Sequence, residues 1–350
     1  MDGLSRRDLH RLVAVAATSL GLGGLPQAAF AGESGELGYV HPELRPAAKQ
    51  LLQLVASMPE ISPETLAITR QAMGGWAQPP LEHPKWHQRA IKGLPGNPDV
   101  SVFVINSDDT KRRPAILHTH GGGFISGKAI SMMADLQRLA LELDCTIVTV
   151  DYRLAPEVNF RGSTADNYAA LQWLHDEAKS LGVDAGRIAV MGESAGGGHA
   201  ALLALKARDL GKIPLVAQIL IYPMLDDRTG TTKTPQAPIG TIVWNVVKNR
   251  FGWQSFLGMA PGTDKTPQEA VPARYRDLSG LPPTFIGVGA IDLFVDEDIA
   301  YANRLIDAGV PTQLEVVPGA FHGFDGIGAS TQVAKDFTAS KVTALRRAFA

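Results

Sequence analysis

The segment Met191 to Gly197 reads Met-Gly-Glu-Ser-Ala-Gly-Gly, directly after the apolar run Ile188-Ala189-Val190 and ahead of an Ala- and Leu-rich helical run from Ala200 to Ala207. Few folds place a buried strand, a turn this tight and a helix in immediate succession. In that context Gly-x-Ser-x-Gly predicts a nucleophile elbow, which exposes the Ser194 hydroxyl and aims the Ala195 N–H at a developing oxyanion. Gly192 and Gly196 flank the serine because a Cβ on either would collide with a neighbouring element. Taken alone, the motif is equally an ordinary glycine-rich turn. The rest of the chain decides between them.

From about Glu82 onward, short β-rich runs alternate with longer helical ones. The expected strands are His87–Ile91, Val100–Asn106, Ala115–His120, Thr146–Asp151, Ile188–Met191, Ala217–Tyr222, Thr284–Gly289 and Gln313–Val317. Thr146–Val150 and Ile219–Ile221 are apolar throughout, as strands covered on both faces must be. The alternation therefore predicts an α/β fold, a mostly parallel sheet with helices on both faces. Ser163 is expected to cap a helix carrying Tyr168, Leu171, Leu174, Ala178 and Leu181. Asp296-Glu297-Asp298 is expected in the first turn of another, which Gly309 ends. Two stretches break the pattern, one before Pro80 and one from Pro223 to Pro267. We read residues 32–80 and 223–267 as two parts of one helical cap over a core made of 81–222 and 268–350. Trp76, Trp244, Phe251 and Trp253 are candidates for an apolar acyl pocket within it, with ordinary packing of cap on core an equal alternative for each.

Composition narrows the function classes. The 350 residues are 45% hydrophobic, enough for a large core, and the formal charge is −2 with no basic tract beyond the first residues. Nucleic acid is not an expected partner. The single cysteine, Cys145, leaves no disulfide framework and no multi-cysteine metal site. It precedes an apolar run and reads as a core residue. Residues 1–31 read as an export signal peptide. Ser5-Arg6-Arg7-Asp8-Leu9 resembles a twin-arginine motif, a weakly apolar stretch follows to Leu25, and Ala29-Phe30-Ala31 offers a cleavage site. The stretch is too short to span a bilayer comfortably, and no cysteine follows it for lipid attachment. The expected protein is periplasmic or secreted, a monomer or homodimer, without stable membrane anchoring.

His120-Gly121-Gly122-Gly123-Phe124 follows an expected strand. Consecutive glycines let the main chain approach a ligand and leave N–H groups free, the geometry of an oxyanion hole. A phosphate-binding loop would need a Gly-Lys-Ser/Thr ending or a Gly-x-Gly-x-x-Gly pattern, and neither is present. His118 and His120 share a strand face, but no third ligand stands at metal-binding spacing. A serine nucleophile needs a base, and the base needs an acid to fix its tautomer. Of nine histidines, His322 in the loop after the last strand is the best placed. Asp292, after the preceding strand, is the natural orienting acid, with Asp296 as the fallback. The order Ser…Asp…His is that of α/β-hydrolases.

On His120–Phe124, Asp151-Tyr152-Arg153-Leu154-Ala155-Pro156-Glu157, Gly192–Gly197, Asp292 to Asp298 and His322-Gly323-Phe324, the chain resembles the bacterial hormone-sensitive-lipase-like esterases, the family IV carboxylesterases of the α/β-hydrolase fold. The resemblance covers most of residues 80–350. It implies an eight-stranded sheet, a Ser194, Asp292 and His322 triad, an oxyanion hole from the Gly122, Gly123 and Ala195 N–H groups, and no metal or cofactor. It also implies hydrolysis of short- to medium-chain acyl esters, with an amidase or lactonase, or a non-catalytic receptor, as alternatives on the same fold. Asp151–Glu157 is expected to buttress the glycine loop. Glu193 stands where the family often has Asp or Thr, and Leu293 replaces a frequent proline.

Overall fold

The eight expected strands form one sheet. They are β1 (Trp86–Ile91), β2 (Val100–Ile105), β3 (Arg113–Thr119), β4 (Thr146–Asp151), β5 (Val183–Glu193), β6 (Ala217–Ile221), β7 (Thr284–Gly289) and β8 (Thr312–Val317). Their order is β1-β2-β4-β3-β5-β6-β7-β8. β2 runs antiparallel to β1 and β4, and every pairing from β4 through β8 is parallel. The structure, a computed structural model, describes residues 37–350 apart from position 57 and positions 75–77. The expected signal peptide at 1–31 and the candidate Trp76 lie outside the described residues. Residues 37–39 form a turn, and the fold set out here is that of residues 40–350.

Alternate residues of the inner strands enter different layers. Leu117, Val148, Val190, Leu220 and Ile286 join one buried cluster with residues of α4 (Phe160–Asp176), α5 (Ala195–Leu210) and α7 (Val295–Asp307). Their neighbours point the other way: Phe285 meets Phe337 of α9 (Gln332–Phe349), which also packs against α3 (Met133–Leu143). Period-two alternation with both sides apolar is what covers a parallel sheet twice. Of the edge strands, β1 is largely exposed and β8 mostly half-buried, in keeping with their mixed sequences.

The helices before and after the break in alternation are α1 (Arg45–Ala56), α2 (Leu66–Gly74) and α6 (Val246–Leu257). They do not pack as isolated surface helices. Ile61 and Leu66 share a cluster with Trp253, Phe256 and Phe294. Arg70 of α2 donates to the carbonyls of Ile125 and Ala155 and forms a two-pronged ion pair with Glu157. One cap-side arginine thus holds both the glycine-loop region and the Asp151–Glu157 stretch.

The expected cap of α4 and the end of that helix change, the open alternatives for Trp253 and Phe251 are decided, and Cys145 is the expected core residue. Asn159, not Ser163, caps α4, its side chain accepting from the Arg161 N–H at 3.2 Å. Ser163 is buried inside the first turns, and α4 stops at Asp176, so Ala178 and Leu181 pack from turns beyond it. The cap moved because Asn competes strongly for an N-terminal N–H. Trp253 does not line a pocket: it is fully buried against Phe124 and Phe256, with ring centroids 5.1 and 5.9 Å away. Phe251 packs against the same cluster. Cys145 is buried, and burial pushes its thiol up to about 12, so it stays protonated and inert at neutral pH.

Candidate active site

β5 ends at Glu193, α5 begins at Ala195, and Ser194 alone makes the turn, with φ +57° and ψ −123°. Non-glycine residues rarely adopt that backbone, and strain of this kind aims a side chain out of a turn. The turn closes only because its flanks lack side chains: a Cβ at Gly196 would lie 2.0 Å from the Thr119 carbonyl oxygen of β3. The Ser194 N–H donates to the Ile221 carbonyl at 2.9 Å, tying the elbow to β6.

The three residues expected to work together do meet. Ser194 Oγ lies 2.9 Å from His322 Nε2, and His322 Nδ1 lies 2.8 Å from Asp292 Oδ2. The other Asp292 oxygen accepts the Phe294 N–H at 3.0 Å, which fixes the carboxylate plane. With Asp292 accepting, Nδ1 carries the imidazole proton, and Nε2 is free to accept from the serine. All three side chains are buried. Aromatic rings box the imidazole, with Tyr222 and Phe294 edge-on at 4.8 and 5.2 Å and Trp244 at 6.5 Å. Asp296, the fallback acid, is exposed on the outer face of α7 and takes no part in this chain of contacts.

The glycine loop lies against the elbow: a Cβ at Gly121 would sit 3.4 Å from Ser194 Cβ. Among the described residues, the N–H groups of Gly122 and Gly123 have no acceptor. The Ala195 N–H, in the first turn of α5, has no intrahelical acceptor either. Gly122 and Gly123 have φ of +127° and +62°, and a Cβ at Gly123 would meet the Trp244 ring at 2.1 Å. Gly123→Ala is expected to push Trp244 and the loop apart and to lower kcat on a soluble ester by about 10²- to 10³-fold, the cost of one misplaced oxyanion donor. Steady-state kinetics check this, and a loss under threefold overturns it.

The Asp151–Glu157 stretch holds the loop from behind. Tyr152 donates its hydroxyl proton to the His120 carbonyl at 2.6 Å and stacks on the His120 ring at 4.2 Å. The Ala155 N–H donates to the Phe124 carbonyl, and Asp151 accepts the Ala129 N–H. His120 Nδ1–H donates to the Gly121 carbonyl, and burial pulls its pKa down to about 4. The ring therefore stays neutral and has no tendency to draw an anion away from the serine.

His199, one turn into α5, sits edge-on to Phe124, Tyr152 and Phe256, and among the described residues neither ring nitrogen has a hydrogen-bond partner. Burial pulls its pKa down to about 3. An unfolded histidine titrates near 6.5. Between those values the unfolded chain binds a proton that the native ring refuses, so the native state loses stability as pH falls. His199→Phe removes that loss. Its stability relative to wild type should rise by about 2–3 kcal/mol between pH 7 and pH 4.5. Urea unfolding at both pH values reads the difference, and a pH-independent difference contradicts it.

Sequence reasoning left Glu193 unexplained and missed its partners. Its carboxylate is buried and accepts from His118 Nε2 at 2.8 Å, while His118 Nδ1 meets Thr149 Oγ1 at 2.8 Å. Burial opposes its charge, but His118, Lys341 and a backbone hydrogen bond together outweigh it and hold the carboxyl below its usual range. The three residues occupy adjacent strands on the α3/α9 side of the sheet, with His118 and Thr149 in direct register. His118 and His120 are thus committed to different neighbours. Among the described residues, no group of three or more His, Cys, Asp or Glu is arranged to hold a metal ion.

Beside Trp244 lies a cavity of about 550 Å³ lined by Leu51, Val55, Ile61, Val243, Trp244 and Ile327, among others. Its walls come from residues within 51–69 and 243–248 and from α8 (Phe324–Ile327), which directly follows His322-Gly323. Of the three described aromatic candidates for a pocket, Trp244 is the one placed on its wall.

Residues 116–326 match a family model described as the alpha/beta hydrolase fold. A carboxylesterase of Mycobacterium tuberculosis, NlhH, is 31% identical over 315 residues, spanning 88% of this chain and 97% of its own. The esterase LipI of the same organism is 34% identical over 241 residues, 68% of this chain and 74% of its own. Among solved structures, a bacterial heroin esterase superposes with a TM-score of 0.80 at 35% identity, covering 90% of this chain and all of that one. A strand–serine–helix elbow, a glycine loop against it, eight strands in this order and relatives spanning nearly the whole chain agree: the chain belongs to the bacterial hormone-sensitive-lipase-like esterases of the α/β-hydrolase fold.

Proposed function

We propose that this carboxylic ester hydrolase works through Ser194 as a covalent nucleophile on short- to medium-chain acyl esters. The hydrogen-bonded chain from Ser194 through His322 to Asp292, at 2.9 and 2.8 Å, carries the reading. His322 Nε2 takes the serine proton as Oγ attacks the ester carbonyl. The charge on the tetrahedral intermediate meets the N–H groups of Gly122, Gly123 and Ala195. His322 then gives the proton to the departing alkoxide, leaving an acyl-serine. Water attacks that ester with the same base and the same donors, and the serine is regenerated. The imidazolium that forms twice per cycle is stabilised by buried Asp292.

The acyl chain takes the cavity beside Trp244. Its volume, about 550 Å³, suits a small-molecule ester, and its lining is mostly aliphatic. The family resemblance supports the same range of chain length. A p-nitrophenyl ester series from C2 to C16 is expected to peak at or below C8 in kcat/KM. A maximum at C16 would overturn the preference. Export through residues 1–31 belongs to the same proposal and requires a mature chain beginning at Gly32, which N-terminal mass spectrometry reads directly.

A further inference from the structure

The cavity beside Trp244 has one feature that a pocket for plain alkyl chains does not need. Lys248, in the first turn of α6, lines it. The side chain is half-buried, and its Nζ donates to the Val243 carbonyl at 2.7 Å. No carboxylate among the described residues faces it: burial is the only influence on its pKa, and it acts downward. Glu60 also lines the cavity but is exposed and lies beyond ion-pair distance of Lys248.

Holding one carbonyl takes one neutral donor. A full positive charge set in an aliphatic wall costs desolvation, and among the described residues the Val243 carbonyl offsets it without a counter-charge. Lys248 also keeps two further N–H donors after serving Val243. The residue that carries this charge and these donors lines the space in which the acyl chain is placed.

We propose that the cavity accepts acyl groups ending in a carboxylate, and that Lys248 selects them by pairing with that carboxylate. The inference rests on the esterase reading above. The natural substrate class is then the monoesters of dicarboxylic acids, whose hydrolysis releases a dianionic diacid and an alcohol.

The test compares 4-nitrophenyl monoesters of glutaric, adipic and suberic acid with neutral 4-nitrophenyl esters of matched chain length, in wild type, Lys248→Met and Lys248→Arg. Wild type should turn over at least one anionic ester with a kcat/KM at or above that of its neutral match. Lys248→Met should lose at least about tenfold more on that ester than on the neutral one, mainly through KM, because a charge-assisted pair is removed. Lys248→Arg should keep the preference, which also guards against a fold that merely loosens around Val243. Equal losses on both ester types would make Lys248 a staple for Val243 and overturn the inference. So would no loss on either, or discrimination by wild type of more than tenfold against every anionic ester. Failure of wild type on all the neutral esters would instead overturn the parent reading, and this inference with it.

Discussion

Replacing Ser194 with alanine is expected to lower ester turnover by about 10⁵- to 10⁶-fold while leaving the fold intact. The side chain makes one hydrogen bond, to His322, and contributes little to packing, so thermal unfolding should shift by only a few degrees. Alanine inherits the same left-handed backbone that serine already tolerates there. What disappears is the bond-forming atom. The oxyanion donors and the cavity remain, and a residual rate of about 10³ over water is expected from them. Labelling by a fluorophosphonate should vanish with turnover, and mass spectrometry of wild type should place the adduct on Ser194. An alanine variant retaining a tenth of wild-type activity would remove the serine mechanism from consideration.

Asp292→Asn should cost about 10⁴ in kcat without removing any heavy atom. The amide oxygen can still accept the Phe294 N–H, which leaves the NH₂ facing His322 Nδ1. That nitrogen must then accept, so the imidazole proton moves to Nε2. A protonated Nε2 cannot take the serine proton. The base is present, correctly placed and in the wrong tautomer. Fluorophosphonate labelling should slow in parallel with ester turnover, because both depend on the activated hydroxyl. A loss below tenfold would mean that Asp292 does not set the tautomer.

The site was legible where chain order and strand ends sufficed. Ser194, Asp292 and His322 each follow an apolar β run, and a parallel sheet gathers the C-terminal ends of its strands on one side. Residues separated by 128 and 30 positions therefore meet without any pairwise signal in the sequence. The strands were legible for a related reason: runs such as Thr146–Val150 are apolar on both faces and too short for helices. The Asn159 cap was hidden by Phe160-Arg161-Gly162, a weak helical start that only tertiary packing sustains. The destinations of Trp244 and Trp253 were not legible. Both are large apolar residues in one segment, and which faces a cavity and which fills the core depends on how α6 lies on Phe124. Glu193 was opaque because its partner lies 75 positions upstream on a neighbouring strand.

The Thr149–His118–Glu193 chain makes the residue before the nucleophile a rivet through three strands, set on the face of the sheet that α3 and α9 cover. Two neighbours in sequence, 193 and 194, thus have different partners: Glu193 binds across the strands and Ser194 meets His322. Substrate scope and robustness can be altered on separate sets of positions. A library aimed at new acyl groups leaves the rivet untouched and varies the cavity wall. One aimed at heat tolerance begins beneath the sheet, where shortening Glu193 by a single methylene would oblige His118 to find another anchor.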